Sequence, residues 1–133
     1  MPNERIPAEA EDILYAKSFA QLATIMPDGS PQVTPVWVDY DGERIWINSA
    51  RGRVKDENIE RDRRVAVSIL DPQNPYRYLA VQGVVSEITE EGADDHIDKL
   101  AHKYQGLDHY PYRAEGEVRV IYKITPEQVV YKR

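Results

Sequence analysis

The sequence predicts a mainly β protein, a β-barrel of about six or seven antiparallel strands with peripheral α-helices. Short segments rich in Val, Ile and Tyr alternate apolar and polar residues, as strands with one buried face do. Tight-turn sequences such as MPDGS and YDGER join several of these segments into hairpins. The 133 residues contain no repeat or low-complexity tract, so we expect one domain over residues 1–133.

The N-terminal part predicts one short helix and a hairpin. Apolar residues recur at helical spacing between residues 10 and 17, with acids in the first turn, where they suit the helix dipole. FAQLATI and PQVTPVWVDY then alternate as two strands. Neither Pro31 nor Pro35 can donate a backbone hydrogen bond. The second strand is therefore expected to begin at Pro31 and to lie at a sheet edge, or to bulge, near Pro35.

Three further strands and a short helix are predicted in the middle of the chain. The strands are RIWINS, RRVAVSIL and YRYLAVQGVVSEI, the last two being separated by the turn-forming stretch DPQNP. VKDENIERD predicts a short helix of poor amphipathicity, because Val54 and Ile59 do not share a face.

The C-terminal part predicts the most regular helix and the last strands. Thr89 is expected to cap this helix, whose apolar stripe consists of Ile97, Leu100, Ala101 and Tyr104. QGLDHYPYRAEGE shows no periodicity and is predicted as a loop. A long strand follows, with alternating Val118, Val120, Tyr122 and Ile124. TPEQVVYKR then predicts a turn and a short terminal strand.

Composition narrows the function classes. The chain has 17 Lys and Arg against 23 Asp and Glu, a net charge of -6, which disfavours general nucleic-acid binding. It contains no cysteine, which excludes disulfides and thiolate sites. The charged N-terminal sequence does not match a signal peptide, and no run of about 18 apolar residues occurs. A soluble cytoplasmic protein is expected.

The stretch NSARGRVKDEN contains the main candidate binding site. Arg51, Arg53 and Lys55 alternate where a strand ends, and Val54 is expected to open a helix whose N-terminus favours an anion. Gly52 leaves space for a ligand to approach the backbone. Ser49 can add a hydroxyl group, and Asn58 lies about one turn beyond Lys55 on the same helix face. These groups together have the chemistry of a phosphate site.

A plainer interpretation of the same cations remains open. They can be surface residues paired with the nearby acids Asp56, Glu57, Glu60 and Asp62. Exposed pairs of this kind contribute about 0–1 kcal/mol each.

Other site chemistries have little support. His96 and His102 point in different directions on their predicted helix, while Asp98 and His102 share a face but lack a third ligand, so no metal site is expected. The chain has neither the Gly-x-Ser-x-Gly motif of serine hydrolases nor a P-loop or a dinucleotide-binding Gly-x-Gly-x-x-Gly motif.

Three segments in order give the chain a resemblance to a known family. LATIMPDGSPQVTPVWV resembles the first hairpin of the pyridoxamine-phosphate-oxidase-like split-barrel flavoproteins. INSARGRVKDENIERDRRVAVSI resembles their cofactor-phosphate segment, and DPQNPYRYLAVQGVV their next strand. Within the family, SARGRVKDEN is most similar to the deazaflavin-dependent oxidoreductases that use coenzyme F-420. The resemblance implies a six- to seven-stranded antiparallel split β-barrel of the flavin-reductase type.

The resemblance also assigns expected roles to individual residues. The cofactor phosphate would be bound by Arg51, Arg53, Lys55 and Asn58. Ser49 and Ala50 would line its approach, and Gln32, Val33 and Thr34 would lie along the tricyclic ring. Tyr76 and Tyr78 would line the pocket near the ring, contributed by the partner subunit of a homodimer with the cofactor at the subunit interface, although cross-strand packing explains these tyrosines equally well.

The function implied by the resemblance is hydride transfer from reduced coenzyme F-420 to a conjugated, electron-poor small molecule of the quinone, tetrapyrrole or enone type. The alternatives are an oxidoreductase of the same fold that uses flavin mononucleotide (FMN) and a non-enzymatic flavin carrier. Pyridoxamine phosphate is not the expected substrate, because the chain ends at Arg133 without the C-terminal residues that bind its phosphate in those oxidases. Catalytic residues cannot be assigned from the sequence, although a Tyr76 or Tyr78 hydroxyl could supply a proton.

Overall fold

A computed structural model describes residues 3–133, which form seven antiparallel strands curled into a half-barrel with three helices. The predicted split-barrel fold is thereby confirmed. A short 3-10 turn, Ala8–Ala10, precedes the first helix. The helices are α1 (Glu11–Tyr15), α2 (Val54–Arg61) and α3 (Ala93–Gln105). The strands are β1 (Phe19–Ile25), β2 (Pro31–Trp37), β3 (Asp39–Tyr40), β4 (Ile45–Ala50), β5 (Arg64–Asp71), β6 (Asn74–Thr89) and β7 (Arg119–Lys132).

The strands follow the order β2-β1-β5-β6-β7-β4-β3, so β2 and β3 form the two edges of the sheet. As predicted, β2 begins at Pro31 and is an edge strand. Each of its residues pairs with β1 on one side only, from Phe19 with Trp37 to Ile25 with Pro31. The missing N–H of Pro35 therefore removes no bond from the interior of the sheet.

The segment PQVTPVWVDY was predicted as one strand, but it is divided at Val38 into β2 and β3. These two strands form the opposite edges of the sheet. Helix α3 supplies partners for the backbone at the break. The Val38 N–H donates to the Tyr104 hydroxyl (2.9 Å), and the Val38 carbonyl accepts from Lys103 Nζ (2.7 Å). Because these side-chain bonds replace ladder bonds, the chain can leave one edge of the sheet and join the other.

Alternating residues of the strands form the core, as the sequence predicts. On β4, Ile45 and Ile47 are fully buried, and on β7 Val120, Tyr122 and Ile124 are buried against them. Val118 departs from the prediction, because it lies before β7 and is exposed. Helix α3 buries three of the four predicted stripe residues, Ile97, Leu100 and Ala101.

Two predictions at the ends of β6 and β7 are wrong. Thr89 does not cap α3, because it is the last residue of β6, and its hydroxyl accepts from the Glu91 N–H (3.1 Å). Gly92 is the residue that precedes α3. TPEQVVYKR is not a separate turn and strand, because β7 continues through Pro126. Pro126 lies opposite Gly83 where the ladder changes register, a position at which a proline is tolerated.

Residues 3–133 contain no helix that is both long and apolar enough to cross a membrane.

Candidate functional site

A cleft of about 240 Å³ opens between the β2 edge and the N-terminus of α2. Strand β4, helix α3 and the loop over residues 106–118 also contribute to its wall. Its side chains combine aromatic rings with three cations. The lining residues are Phe19, Pro35, Val36, Trp37, Asn48, Arg53, Lys55, Ile97, Tyr110, Tyr112 and Arg119.

Asp56 organises the loop that leads into α2. One of its carboxylate oxygens accepts the Gly52 N–H (3.1 Å), and the other accepts the buried Tyr122 hydroxyl (2.7 Å). Gly52 has a φ of +87°, a backbone conformation that glycine adopts at little cost. Glycine is thus required here for the turn itself. The loop then presents Arg53 as the residue that precedes α2, with Lys55 in the first turn.

Arg51 is held by three carboxylates. Its guanidinium group contacts Glu90 (2.9 Å), Glu60 (3.0 Å) and Asp56 (3.2 Å). Although partial burial opposes the charge, these carboxylates raise the Arg51 pKa above its usual value. Arg51 does not line the cleft. The surface-pairing interpretation therefore describes Arg51 well, and its side chain supports the loop that carries the other two cations.

Arg53 and Lys55 do line the cleft. Arg53 is exposed, and its Nη2 lies 3.4 Å from Glu117 Oε1. Lys55 is half-buried and makes no ion pair with any residue in the range 3–133. Burial lowers its pKa, and the nearby charges of Arg53 and Arg119 lower it further. A bound anion would relieve this repulsion, so the surface-pairing interpretation does not describe Lys55.

Asn58 does not point into the cleft, in contrast to its expected role beside Lys55. Its side chain is buried beneath α2, where Nδ2 donates to Thr24 Oγ1 (3.0 Å). Its Oδ1 accepts from Arg61 Nη2 (2.9 Å). The amide group therefore attaches α2 to β1, and its polar atoms are already used.

The other expected site residues of β2 and β4 divide between surface and core. Gln32 and Thr34 are half-buried on the edge strand, and Val33 between them is exposed. Thr34 Oγ1 has no hydrogen-bond partner within residues 3–133. Ser49 and Ala50 are buried at the end of β4, and Ser49 Oγ is likewise without a partner among those residues. None of the five lines the cleft, although Pro35 and Val36 of the same edge strand do.

Tyr76 and Tyr78 lie at the start of β6, where Tyr78 pairs with Leu70 and Lys132. Tyr76 is 80% exposed and Tyr78 is half-buried. Neither residue lines the cleft of its own chain. A contribution to the site would therefore require a second subunit.

The sequence interpretation missed the aromatic wall and the innermost cation of the cleft. Trp37 stacks on Tyr104, with ring centroids 5.1 Å apart, and meets the edge of Tyr110 at 6.1 Å. Arg119 is 4% exposed, and its guanidinium lies 5.1 Å from the centre of the Tyr110 ring. The two tyrosines of HYPY, in the segment predicted as a loop, were the one feature of the sequence that could have indicated the aromatic wall. Arg119 gave none, because it stands between two valines of a predicted strand.

A chain of buried polar groups holds Arg119 in place. Arg119 Nε donates to Asn48 Oδ1 (2.9 Å). Asn48 Nδ2 donates to the Ala93 carbonyl (2.9 Å) and to His96 Nδ1 (3.1 Å). Since Nδ1 accepts this bond, the His96 proton is on Nε2, 3.0 Å from Asp39 Oδ2. Each group in the chain thereby fixes the orientation of the next.

The same contacts explain the acidity of Asp39. Burial alone would raise its pKa, but the His96 hydrogen bond, the Tyr40 N–H and the charge of Lys99 outweigh burial and hold the pKa far below its usual value. Asp98, in contrast, binds Arg113 (2.9 Å) rather than His102. Within the part of the chain that the structure describes, no group of three or more His, Asp or Glu side chains is arranged to hold a metal ion.

A family model described as pyridoxamine 5'-phosphate oxidase matches residues 6–133, nearly the whole chain. The chain belongs to this family. Membership indicates a flavin- or deazaflavin-related oxidoreductase.

Similar solved structures support the family assignment. One is named F420 reductase; it is 34% identical, the match covers 94% of this chain and 98% of that one, and the TM-score is 0.84. The predicted resemblance to the deazaflavin branch is thereby confirmed. A conserved hypothetical protein from Mycobacterium tuberculosis is 27% identical over 97% of this chain and 88% of that one, with a TM-score of 0.70.

A putative pyridoxamine 5'-phosphate oxidase from Listeria innocua shares the fold. Its identity is 22%, the match covers 92% of this chain and 94% of that one, and the TM-score is 0.70.

Proposed function

We propose that this protein is a coenzyme F-420-dependent reductase that transfers hydride to a conjugated, electron-poor small molecule of the quinone, tetrapyrrole or enone type. The observation that carries the proposal is the position of Lys55. It is a half-buried cation without an ion pair among residues 3–133, located at the N-terminus of α2 beside an aromatic cleft. The similarity to the structure named F420 reductase supports the deazaflavin over other flavins.

The phosphate of the cofactor would be bound by Arg53 and Lys55, close to the N–H groups of the first turn of α2. A forked guanidinium and a flexible ammonium group can bind different oxygens of one phosphate. Arg51 contributes through the loop: its three carboxylate contacts hold the backbone from which Arg53 and Lys55 extend.

The ring system would lie along the edge strand. Strand β2 pairs on one side only, so backbone groups near Gln32, Val33 and Thr34 remain available on the other side. Thr34 Oγ1 is a buried oxygen without a hydrogen bond inside the described range, and a ligand that reached it would supply the missing contact. When bound, reduced deazaflavin supplies a hydride. The residues of the chain would position the reactants and exclude water, with the aromatic wall of Trp37 and Tyr110 enclosing them.

A homodimer with the cofactor at the subunit interface is part of the proposal. The outer face of β2, β1, β5, β6 and β7 has a groove of about 330 Å³ lined by uncharged residues, among them Ala23, Val33, Ala66, Ala80, Gln82 and Val130. In a chain with 30% charged residues, such a face is suited to burial against a second copy. The same face includes Val33, so a partner seated there would reach the proposed ring site. Tyr76 and Tyr78 of the second copy could then complete the pocket.

FMN is the second candidate cofactor, because the matched family is that of pyridoxamine 5'-phosphate oxidase. The third candidate is a carrier that binds a flavin without transferring hydride.

The protein should be titrated with coenzyme F-420 and with FMN by quenching of the ligand fluorescence. Tighter binding of coenzyme F-420, followed by its oxidation in the presence of a quinone or enone panel, supports the reductase.

Preferential binding of FMN would overturn the cofactor assignment. Tight binding of reduced coenzyme F-420 without oxidation by any acceptor would favour the carrier.

The cytoplasmic location remains a prediction, which fractionation of the producing cells would test.

A further inference from the structure

The innermost cation of the cleft has unused binding capacity. Arg119 is 4% exposed, yet its Nη1 has no hydrogen-bond partner within residues 3–133. Nε of the same group donates to Asn48, and the guanidinium carbon lies over the Tyr110 ring, 5.1 Å from its centre. A buried charged group that lacks a hydrogen bond is costly. Arg119 also lines the cleft, and its buried Nη1 would become accessible to a ligand there once the neighbouring Glu117 carboxylate moved aside.

Glu117 lies between the two arginines of the cleft. Its Oε1 is 3.4 Å from Arg53 Nη2, and its Oε2 is 3.4 Å from Arg119 Nη1. The second contact is close enough for an ion pair but does not have the geometry of a hydrogen bond. Glu117 Oε2 and Arg119 Nη1 therefore both remain without a hydrogen-bond partner in the described range. Well-formed arginine–carboxylate bonds are shorter, near 2.8 Å. Glu117 therefore accepts a long hydrogen bond from Arg53 but leaves Arg119 Nη1 without one.

We propose that Arg53 and Arg119 bind one anionic group of the ligand, and that the Glu117 carboxylate occupies its position until the ligand enters. This inference rests on the proposed function and adds to it a residue, Arg119, and a competing carboxylate. The ligand group is a phosphate or carboxylate, since both present two oxygens on one atom that can accept the paired N–H bonds of a guanidinium fork.

Charge favours the exchange. Arg53, Lys55 and Arg119 bring three positive charges to the cleft, and Glu117 returns one negative charge. Inorganic phosphate or a phosphate monoester brings more negative charge and more acceptor oxygens than one carboxylate. The lowered Lys55 pKa, caused by burial and then by Arg53 and Arg119, is consistent with incomplete neutralisation.

The location of Glu117 allows it to leave. Its side chain is only 10% exposed, but it belongs to the segment between α3 and β7, which has no helix or strand and is exposed over most of its length. Arg119, in contrast, is the first residue of β7 and is fixed by Asn48. The ligand would therefore displace the carboxylate while the guanidinium stays in position.

The test compares Glu117→Gln with Glu115→Gln. Glu115 is exposed in the same loop and gives the same change in net charge. Both variants and the wild type are titrated with coenzyme F-420, with its riboside precursor that lacks the phosphate, and with inorganic phosphate. If Glu117 competes with the ligand, Glu117→Gln tightens the binding of phosphate-bearing ligands by about three- to tenfold relative to Glu115→Gln. Arg119→Lys weakens it, because lysine cannot form the fork.

The ligands separate the possible results. A gain with coenzyme F-420 and phosphate, but not with the riboside, identifies the cofactor phosphate as the anion. A gain with inorganic phosphate alone, while coenzyme F-420 binds unchanged, assigns the position to an anionic group of the substrate. Equal or weaker phosphate binding by Glu117→Gln relative to Glu115→Gln overturns the inference, even where wild-type protein binds coenzyme F-420. Failure of the wild type to bind any flavin refutes the proposed function instead, and the phosphate titration still decides the role of Glu117.

Discussion

The Tyr122 hydroxyl donates a 2.7 Å hydrogen bond to Asp56 Oδ1 beneath the loop that carries the cleft cations. Tyr122 belongs to the buried face of β7, and Asp56 to the first turn of α2. Burial raises the Tyr122 pKa, and the adjacent Asp56 carboxylate raises it further, so the hydroxyl remains a donor at neutral pH. The core of the half-barrel thus fixes the geometry of the binding loop.

Replacement of Tyr122 by Phe should destabilise the fold by about 1–3 kcal/mol, because Asp56 would lose a buried donor. Urea unfolding measures this change, and Tyr76→Phe is the control, since Tyr76 is 80% exposed and its hydroxyl should contribute less than about 0.5 kcal/mol. A double-mutant cycle with Asp56→Asn should show coupling. Strictly additive losses would show that the two groups do not act together.

Gly83→Ala should be among the most destabilising single substitutions in the chain. A Cβ atom at this position would overlap the Thr125 carbonyl oxygen, which belongs to the backbone of β7 and cannot rotate away. Overpacking of this kind costs about 1–3 kcal/mol or more. Gly29→Ala is the comparison: its Cβ would meet open space, and its positive φ alone should cost about 1–2 kcal/mol. A loss for Gly83→Ala no larger than for Gly29→Ala would contradict the close approach.

Stability should rise with pH above about 8 through Lys103. Burial lowers the pKa of Lys103 to about 8, whereas an unfolded lysine titrates near 10.4. The unfolded chain therefore binds more protons between these values, and the free energy of unfolding increases with pH in this window. Lys103→Met should remove this increment when both proteins are unfolded in urea at pH 7, 8, 9 and 10. Parallel pH profiles of the two proteins would argue against it.

Ala80→Glu should convert the proposed dimer into a monomer. The substitution places a charge in the uncharged groove on the outer face of the sheet, and a buried unpaired carboxylate is strongly unfavourable. Sedimentation velocity measures the association state, and thermal unfolding shows whether the subunit itself is intact. The matched control is Ala8→Glu, which makes the same change at an exposed position outside the groove. Wild-type protein that sediments as a monomer would contradict the proposed interface.

The sequence predicted the elements whose signals are local. The edge position of β2 followed from Pro31 and Pro35, and the start of α2 at Val54 from the NSARGRVKDEN stretch. The break at Val38 could not be predicted, because it depends on Tyr104 and Lys103, more than sixty residues away. Thr89 was wrongly predicted as a helix cap for a similar reason. Its place at the end of β6 depends on pairing with β7, which is distant in the sequence.

The candidate site shows the same division. The prediction that cations gather near the N-terminus of α2 followed from their spacing, but which of them face the cleft depends on tertiary contacts. Arg51 is drawn away by Glu90, a residue of the β6–α3 connection. Asn58 is drawn beneath the helix by Thr24. Arg119 was missed because its burial depends on Asn48 and Tyr110, which the sequence does not connect to it.

The most direct test of the central claim is the affinity of Lys55 variants for coenzyme F-420 and for its phosphate-free riboside. Loss of a charge-assisted phosphate contact costs about 1.5–3 kcal/mol, so Lys55→Met should weaken binding of the coenzyme roughly ten- to hundredfold. Lys55→Arg should retain most of the affinity, and the riboside should bind all three proteins alike. Unchanged binding of the coenzyme by Lys55→Met, or an equal loss for the riboside, would contradict the assignment of this cleft to the cofactor phosphate.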